Sequence, residues 1–170
     1  TTKTSFNDLE VALEKMKGLK VHVVGDTIID GFTQTSMIGG QTKTPTMSVL
    51  YESRQDYVGG AGIVAKHLAA AGASVTFTTL LGDDPLKDFA LNDLAESNIT
   101  VNAIIDDKRP TTHKNAIIAR NYRLLKIDTL DNTSINTTLL EKFIDTIKKT
   151  DCDLIIFSDF RHGIFNKFTI

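Results

Sequence analysis

Apolar residues recur along this chain in two rhythms, and the changes of rhythm mark its elements. Behind Ser5-Phe6-Asn7-Asp8, Leu9, Leu13 and Met16 fall at helical spacing, and Gly18 ends the run. A hydroxyl followed three residues on by a carboxylate is a capping box, so a short amphipathic helix over about 6–17 is expected to cover a core. Lys20-Val21-His22-Val23-Val24-Gly25-Asp26 is then a β-branched apolar run with a polar exit, the pattern of a buried strand. Residues 31–58 change character: they are rich in Thr, Ser, Gln and Gly and include Pro45, with extended-favouring runs at Phe32 to Met37 and Met47 to Tyr51. Short, partly exposed strands are predicted there.

Gly59-Gly60-Ala61-Gly62 opens a predicted helix to Ala71, ended by Gly72. Val75 to Leu81 reads as a second buried strand, turning at Gly82-Asp83-Asp84-Pro85 into a helix over about 85–96. Val101 to Ile105 is a third strand. Thr112 to Ala119 and Tyr122 to Ile127 flank Arg120-Asn121 as a hairpin, Ile135 to Lys149 is helical, and Asp153 to Phe157 is a last buried strand that exits at Ser158-Asp159. This alternation predicts an α/β fold with a parallel sheet between helices. The two Thr-rich strand pairs do not fit that layer and read as a small inserted β element.

Composition narrows the function classes. The 170 residues are 41% hydrophobic and 24% charged with a net charge of -2, so a general nucleic-acid or anionic-membrane binder is not favoured. No apolar run is long enough to span a bilayer, and no secretory signal pattern is present at the start. Cys152 is the only cysteine, which excludes an intramolecular disulfide and a cysteine-based zinc site and makes the cytoplasm the expected location. It lacks an evident base, and His22, inside a strand, reads as a core histidine.

In open α/β sheets ligands gather beyond the carboxyl ends of strands. Three such ends carry acids here: Asp26 with Asp30, Asp83 with Asp84, and Asp159. Carboxylates there can accept hydrogen bonds from sugar hydroxyls or hold a metal through its waters, or they can merely cap helices. The Gly59-Gly60 turn allows a ligand close to backbone N–H groups at a helix start. Gly60 to Ala65 also fits the loose pattern G-x-G-x-x-A, but the preceding Ser53 to Tyr57 is polar where a dinucleotide fold needs a buried strand. Arg109, His113, Lys114, Arg120, Arg123 and Lys126 cluster in the hairpin and its lead-in, either as a solvated face or as a cationic cap for an anionic substrate.

Together these segments resemble the ribokinase-like (PfkB) carbohydrate kinases. Val23 to Asp30 is similar to the first strand with its substrate-binding Asp. Val58 to Ala69, Gly72-Ala73 and Leu81 to Asp84 resemble the glycine-rich signature region. Arg109 to Lys114, Asn121 to Asp128 and Ser158-Asp159-Phe160-Arg161-His162-Gly163 resemble the heptose-phosphate kinase (ADP-heptose synthase) branch, whose kinase domain is often fused to a nucleotidyltransferase. Ile63 stands where the family often has Asn, and Arg161 where it has Gly. The resemblance implies a three-layer ribokinase-like α/β/α core with a β lid at about 31–58 and 109–129. It makes residues 1–170 the N-terminal part of one kinase domain, ending before the ATP-binding half.

On this resemblance the substrate-binding residues are Asp26, Asp30, Gly59, Gly60, Arg109, Lys114 and Asp159, with Lys114 and Arg109 meeting a substrate phosphate. The catalytic Asp base is expected beyond Ile170, and no metal ligands are expected in this chain. ATP and Mg2+ serve the full-length enzyme, and none is expected bound here. The implied activity is transfer of the ATP γ-phosphate to a hydroxyl of a heptose-type sugar phosphate, with the chain inactive alone. A non-catalytic sugar-phosphate-binding or assembly module is the alternative. Self-association is expected, in part through the lid and the open sheet edge.

Overall fold

The computed structural model describes residues 4–39 and 46–166. The stretch 40–45 of the expected lid, Pro45 included, lies outside the described residues. Eight strands and four helices follow in the order α1 (Phe6–Met16), β1 (Lys20–Gly25), β2 (Thr27–Met37), β3 (Val49–Gly60), α2 (Ala61–Ala70), β4 (Ser74–Gly82), α3 (Pro85–Glu96), β5 (Thr100–Asp106), β6 (His113–Ala119), β7 (Tyr122–Thr129), α4 (Thr137–Lys149) and β8 (Leu154–Ser158).

The main sheet runs β5-β4-β1-β8, all parallel. Two apolar clusters lie against it. One joins Val21, Val23, Val75 and Phe77 to Ala61, Ala65, Ala90 and Leu94 of α2 and α3. The other joins Val24, Leu80 and Ile104 to Leu139 and Phe143 of α4. Burial on both faces is why β1 and β4 read as continuous apolar runs. The expectation that β8 is a buried strand is corrected: it ends the described sheet, and Leu154, Ile155 and Phe157 are exposed. This is a ribokinase-like α/β fold with a second, small sheet.

That second sheet has the order β3-β2-β6-β7, with β2 and β6 parallel and the outer pairs antiparallel. Its strands are longer than the polar composition suggests: β2 begins at Thr27, directly after the core strand, and β3 runs unbroken to Gly60. Ladder hydrogen bonds, which composition does not reveal, sustain that length. Arg120 and Asn121 both have positive φ, 48 and 67°, as a tight I′ hairpin requires.

The capping box at α1 is present: Asp8 N–H donates to Ser5 Oγ at 3.2 Å, and Ser5 N–H donates to Asp8 Oδ2 at 2.8 Å. The helix nevertheless buries no residue, and Leu9 and Leu13 remain exposed. The expectation that it covers the core is corrected: amphipathic spacing marks a face but does not supply its partner. At α4, Asn136 caps by accepting the Leu139 N–H at 3.0 Å, so Ile135 lies just before the helix, with its N–H on the Gly163 carbonyl.

His22 is fully buried with one partner: Nε2 lies 2.7 Å from Thr78 Oγ1, and Nδ1 has none. Burial pulls its pKa below the ordinary imidazole value. The folded chain therefore resists a proton that the unfolded chain accepts near pH 6.5. His22 leaves stability level above that pH and lowers it as the pH falls through 6.5 toward the folded value. The expected outcome is a declining denaturation midpoint from pH 7 to 5.5, with the His22 ring resonances not titrating near 6.5 by NMR.

Candidate functional site

The chain passes from the main sheet to the small one through a single residue. β1 ends at Gly25, β2 begins at Thr27, and Asp26 lies between them. The return is equally abrupt, since Gly60 ends β3 and Ala61 begins α2. The two crossings touch, with Ala61 N–H donating to the Asp26 carbonyl at 2.8 Å. Gly60 holds φ 58° and ψ -136°, a conformation open to glycine, and a Cβ there would run into that carbonyl oxygen.

The Asp26 side chain is buried, and its Oδ2 accepts the N–H groups of Phe160 at 2.8 Å and His162 at 3.4 Å. Burial pushes its pKa up, opposed by those two hydrogen bonds and by His162, while the nearby Asp159 adds to the rise. Asp26 thus faces inward and ties the exit of β8 to the exit of β1.

Asp30 behaves differently. It is only partly buried on β2, in register with Lys114 of β6 and with Tyr57 of β3. Residues level with one another on neighbouring strands share a face, so Asp30, Lys114 and Tyr57 look the same way. Gly59 completes this face: a Cβ there would collide with Asp30 Oδ2, so the missing side chain is what makes room for the carboxylate. Asp128 of β7 lies opposite Lys114.

The tip of β8 closes the arrangement. Asp159 is exposed, and its Oδ1 accepts Arg161 N–H at 2.7 Å. Arg161 takes φ 63°, a left-handed conformation that explains why glycine suits this position. His162 lies where several charges meet. Burial and then the Lys114 cation push its pKa down, while Asp26, Asp128 and Asp159 pull it up. The charges of Asp26, Asp159, Asp128 and Lys114 thus all act on this one ring.

Arg109 was expected to reach a ligand phosphate, but its guanidinium is committed elsewhere. Nε donates to Asp106 Oδ2 at 2.9 Å in a buried ion pair, and the two NH groups reach the Thr133 and His162 carbonyls at 3.3 and 3.5 Å. It precedes β6 instead of lying in the small sheet. Asp84 is likewise internal: it caps α3 by accepting the Leu86 N–H at 3.0 Å, and it takes the Thr111 N–H at 2.7 Å. Sequence reasoning gave no site role to His162 and Asp128. Their involvement depends on the distant loop of β8 folding beneath the hairpin, which no local pattern encodes.

Known proteins share this framework. Residues 19–155 match the pfkB family of carbohydrate kinases, and the chain belongs to that family. The bifunctional protein HldE of Helicobacter pylori (strain Shi470) is 32% identical over 152 residues, covering 86% of this chain and 32% of that protein. HldE of Rhodopseudomonas palustris (strain BisB5) is 28% identical over 165 residues, 93% of this chain and 33% of that protein. The chain thus spans about a third of the length of these curated relatives. Among solved structures, phosphofructokinase-2 from Escherichia coli in complex with substrates and products superposes with a TM-score of 0.64 at 15% identity, over 87% of this chain and 47% of that one. A carbohydrate kinase from Agrobacterium tumefaciens gives 0.60 at 15% identity, over 82% and 45%.

The Asp26 junction is open to test by substitution. Asp26→Ala leaves the Phe160 and His162 N–H groups unpaired, which is expected to cost about 2–3 kcal/mol in denaturant unfolding. Amide exchange at those two residues rises with it. Asp26→Asn, which retains an acceptor oxygen, loses less.

Proposed function

We propose that this chain is the sugar-binding portion of a carbohydrate kinase that transfers the ATP γ-phosphate to a hydroxyl of a heptose-type sugar phosphate. The observation that carries the reading is the pairing of Asp30 with Lys114 in register on adjacent strands, over Gly59, beside the acidic tips of the main sheet. Membership of the pfkB family sets the reaction class. The HldE relatives favour the heptose-type substrate.

Phosphoryl transfer asks a protein chiefly to align the acceptor and neutralise charge. In this reading Asp30 and the Gly59–Gly60 backbone hold sugar hydroxyls, Asp159 lines the same cleft, and Lys114 meets the substrate phosphate by a charge-assisted hydrogen bond. Asp26 and Arg109 hold the framework instead of touching ligand, one through Phe160 and His162, the other through Asp106. The small sheet acts as a lid that limits water. Among the described residues no three His, Cys, Asp or Glu side chains gather closely enough to hold a metal ion, so these residues do not fit a Mg2+ site. No step through nucleotide or metal is assigned to them, and none of them is proposed as the aspartate base. No described helix is long and apolar enough to cross a membrane, and a cytoplasmic location goes with the reading.

Lys114→Met is expected to weaken binding of a mannoheptose 7-phosphate by about tenfold or more, the usual worth of a hydrogen bond to a charged group, and to leave binding of the unphosphorylated sugar nearly unchanged. Calorimetric titration reads both; equal loss for the two ligands would remove Lys114 from the phosphate. ATP turnover by a longer gene product with a downstream Gly-Ala-Gly-Asp segment supports the kinase over a pure binding module. Turnover by the 170-residue chain alone would refute the division of labour. Self-association accompanies the reading, since β8 ends the described sheet with Phe157 exposed; sedimentation is expected to show oligomers.

A further inference from the structure

His162 is 7% exposed, and its ring has one satisfied nitrogen. Nδ1 lies 2.6 Å from Asn132 Oδ1, whereas Nε2 is buried without a hydrogen-bond partner among the described residues. The ring borders a cavity of about 10 Å³ lined also by Asp26, Thr112, Arg109 and Asp131, and the Lys114 charge acts on it. A cavity of this size takes about one oxygen atom with its hydrogens. An unpartnered polar atom in such a place is costly unless something binds it.

The partner chemistry follows from the tautomer. A carboxamide oxygen accepts, so Nδ1 carries the proton and Nε2 presents a bare lone pair. Burial and Lys114 disfavour a second proton. Such an atom requires a donor. A phosphate monoester above pH 7 offers mainly acceptors, so it belongs with Lys114 and not with His162. A hydroxyl or a water qualifies.

We propose that His162 is a specificity-determining residue whose Nε2 accepts a hydrogen bond from a hydroxyl of the bound sugar, dividing recognition with Lys114, which takes the phosphate. The inference rests on the sugar-cleft reading above. His162 is held for this task from three sides: its own N–H is on Asp26, its carbonyl is on Arg109, and its Nδ1 is on Asn132.

The test uses the 170-residue chain with 15N-labelled histidine, and three probes: a mannoheptose 7-phosphate, the unphosphorylated mannoheptose, and inorganic phosphate. Long-range imidazole spectra at pH 8 are expected to show the Nδ1–H tautomer at His162. Both sugars should shift its Nε2 resonance and inorganic phosphate should not. His162→Leu is expected to weaken both sugars alike, by about tenfold or more from a hydroxyl left unpaired. His162→Gln, which keeps an acceptor oxygen, restores most of it. A proton found on Nε2 overturns the proposal whatever the variants do. Sugar binding that is lost in Lys114→Met and Asp30→Asn but intact in His162→Leu overturns it while leaving the cleft in place. No binding of either sugar at millimolar concentration overturns both.

Discussion

The structure turns on one buried carboxylate and the peptide that carries it. Asp26 is the single residue between the core strand and the small sheet, and its acceptors join distant segments: its carbonyl takes the N–H of the returning helix, and its Oδ2 takes two N–H groups from the exit of β8. Three segments distant in sequence are thereby fixed at one point. A buried carboxylate is costly in itself, which is why burial raises its pKa, and two backbone donors offset the cost. The strand leaving this point, the strand returning to it and the loop pinned by it all meet at Asp26.

The small sheet extends that logic outward. Its parallel β2–β6 pairing sets Asp30 beside Lys114, and its antiparallel β2–β3 pairing brings Gly59 under the Asp30 carboxylate. Opposite charges lie on one face, with a glycine where a side chain would clash, and in the proposed reading that face meets a hydroxylated anion. A one-residue slip of β6 would turn Lys114 to the other face and bring His113 in its place. His113 in fact lies on the reverse face, its Nε2 3.6 Å from Asp56 Oδ1, beside Gly31.

Much of the fold was legible along the chain. The apolar runs at β1 and β4, the Pro85 start of α3 and the Arg120-Asn121 hairpin all follow from local chemistry, because burial on two faces, a fixed proline φ and a pair of left-handed residues each leave a local mark. The apolar run at β8 marks a strand but not its burial, since the strand ends the described sheet and is mostly exposed. Asp30, Gly59, Gly60 and Lys114 were legible as residues with chemistry. The fate of Arg109 was not. Its partners, Asp106 apart, are carbonyls at 133 and 162, and an arginine spent on distant carbonyls has the same one-dimensional surroundings as one that is free.

Sequence alone determined the alternating α/β order, the polar inserted strands and the acids at the strand tips, since these depend on period, turn chemistry and residue type within a few positions. Tertiary structure decided that Asp26 turns inward while Asp159 stays exposed, that α1 buries no residue, and that His162 has one nitrogen bonded and the other without a partner among the described residues. Those outcomes depend on pairing register and on contacts more than a hundred residues apart, and the free energy of such contacts belongs to the assembled space, not to any segment that forms it.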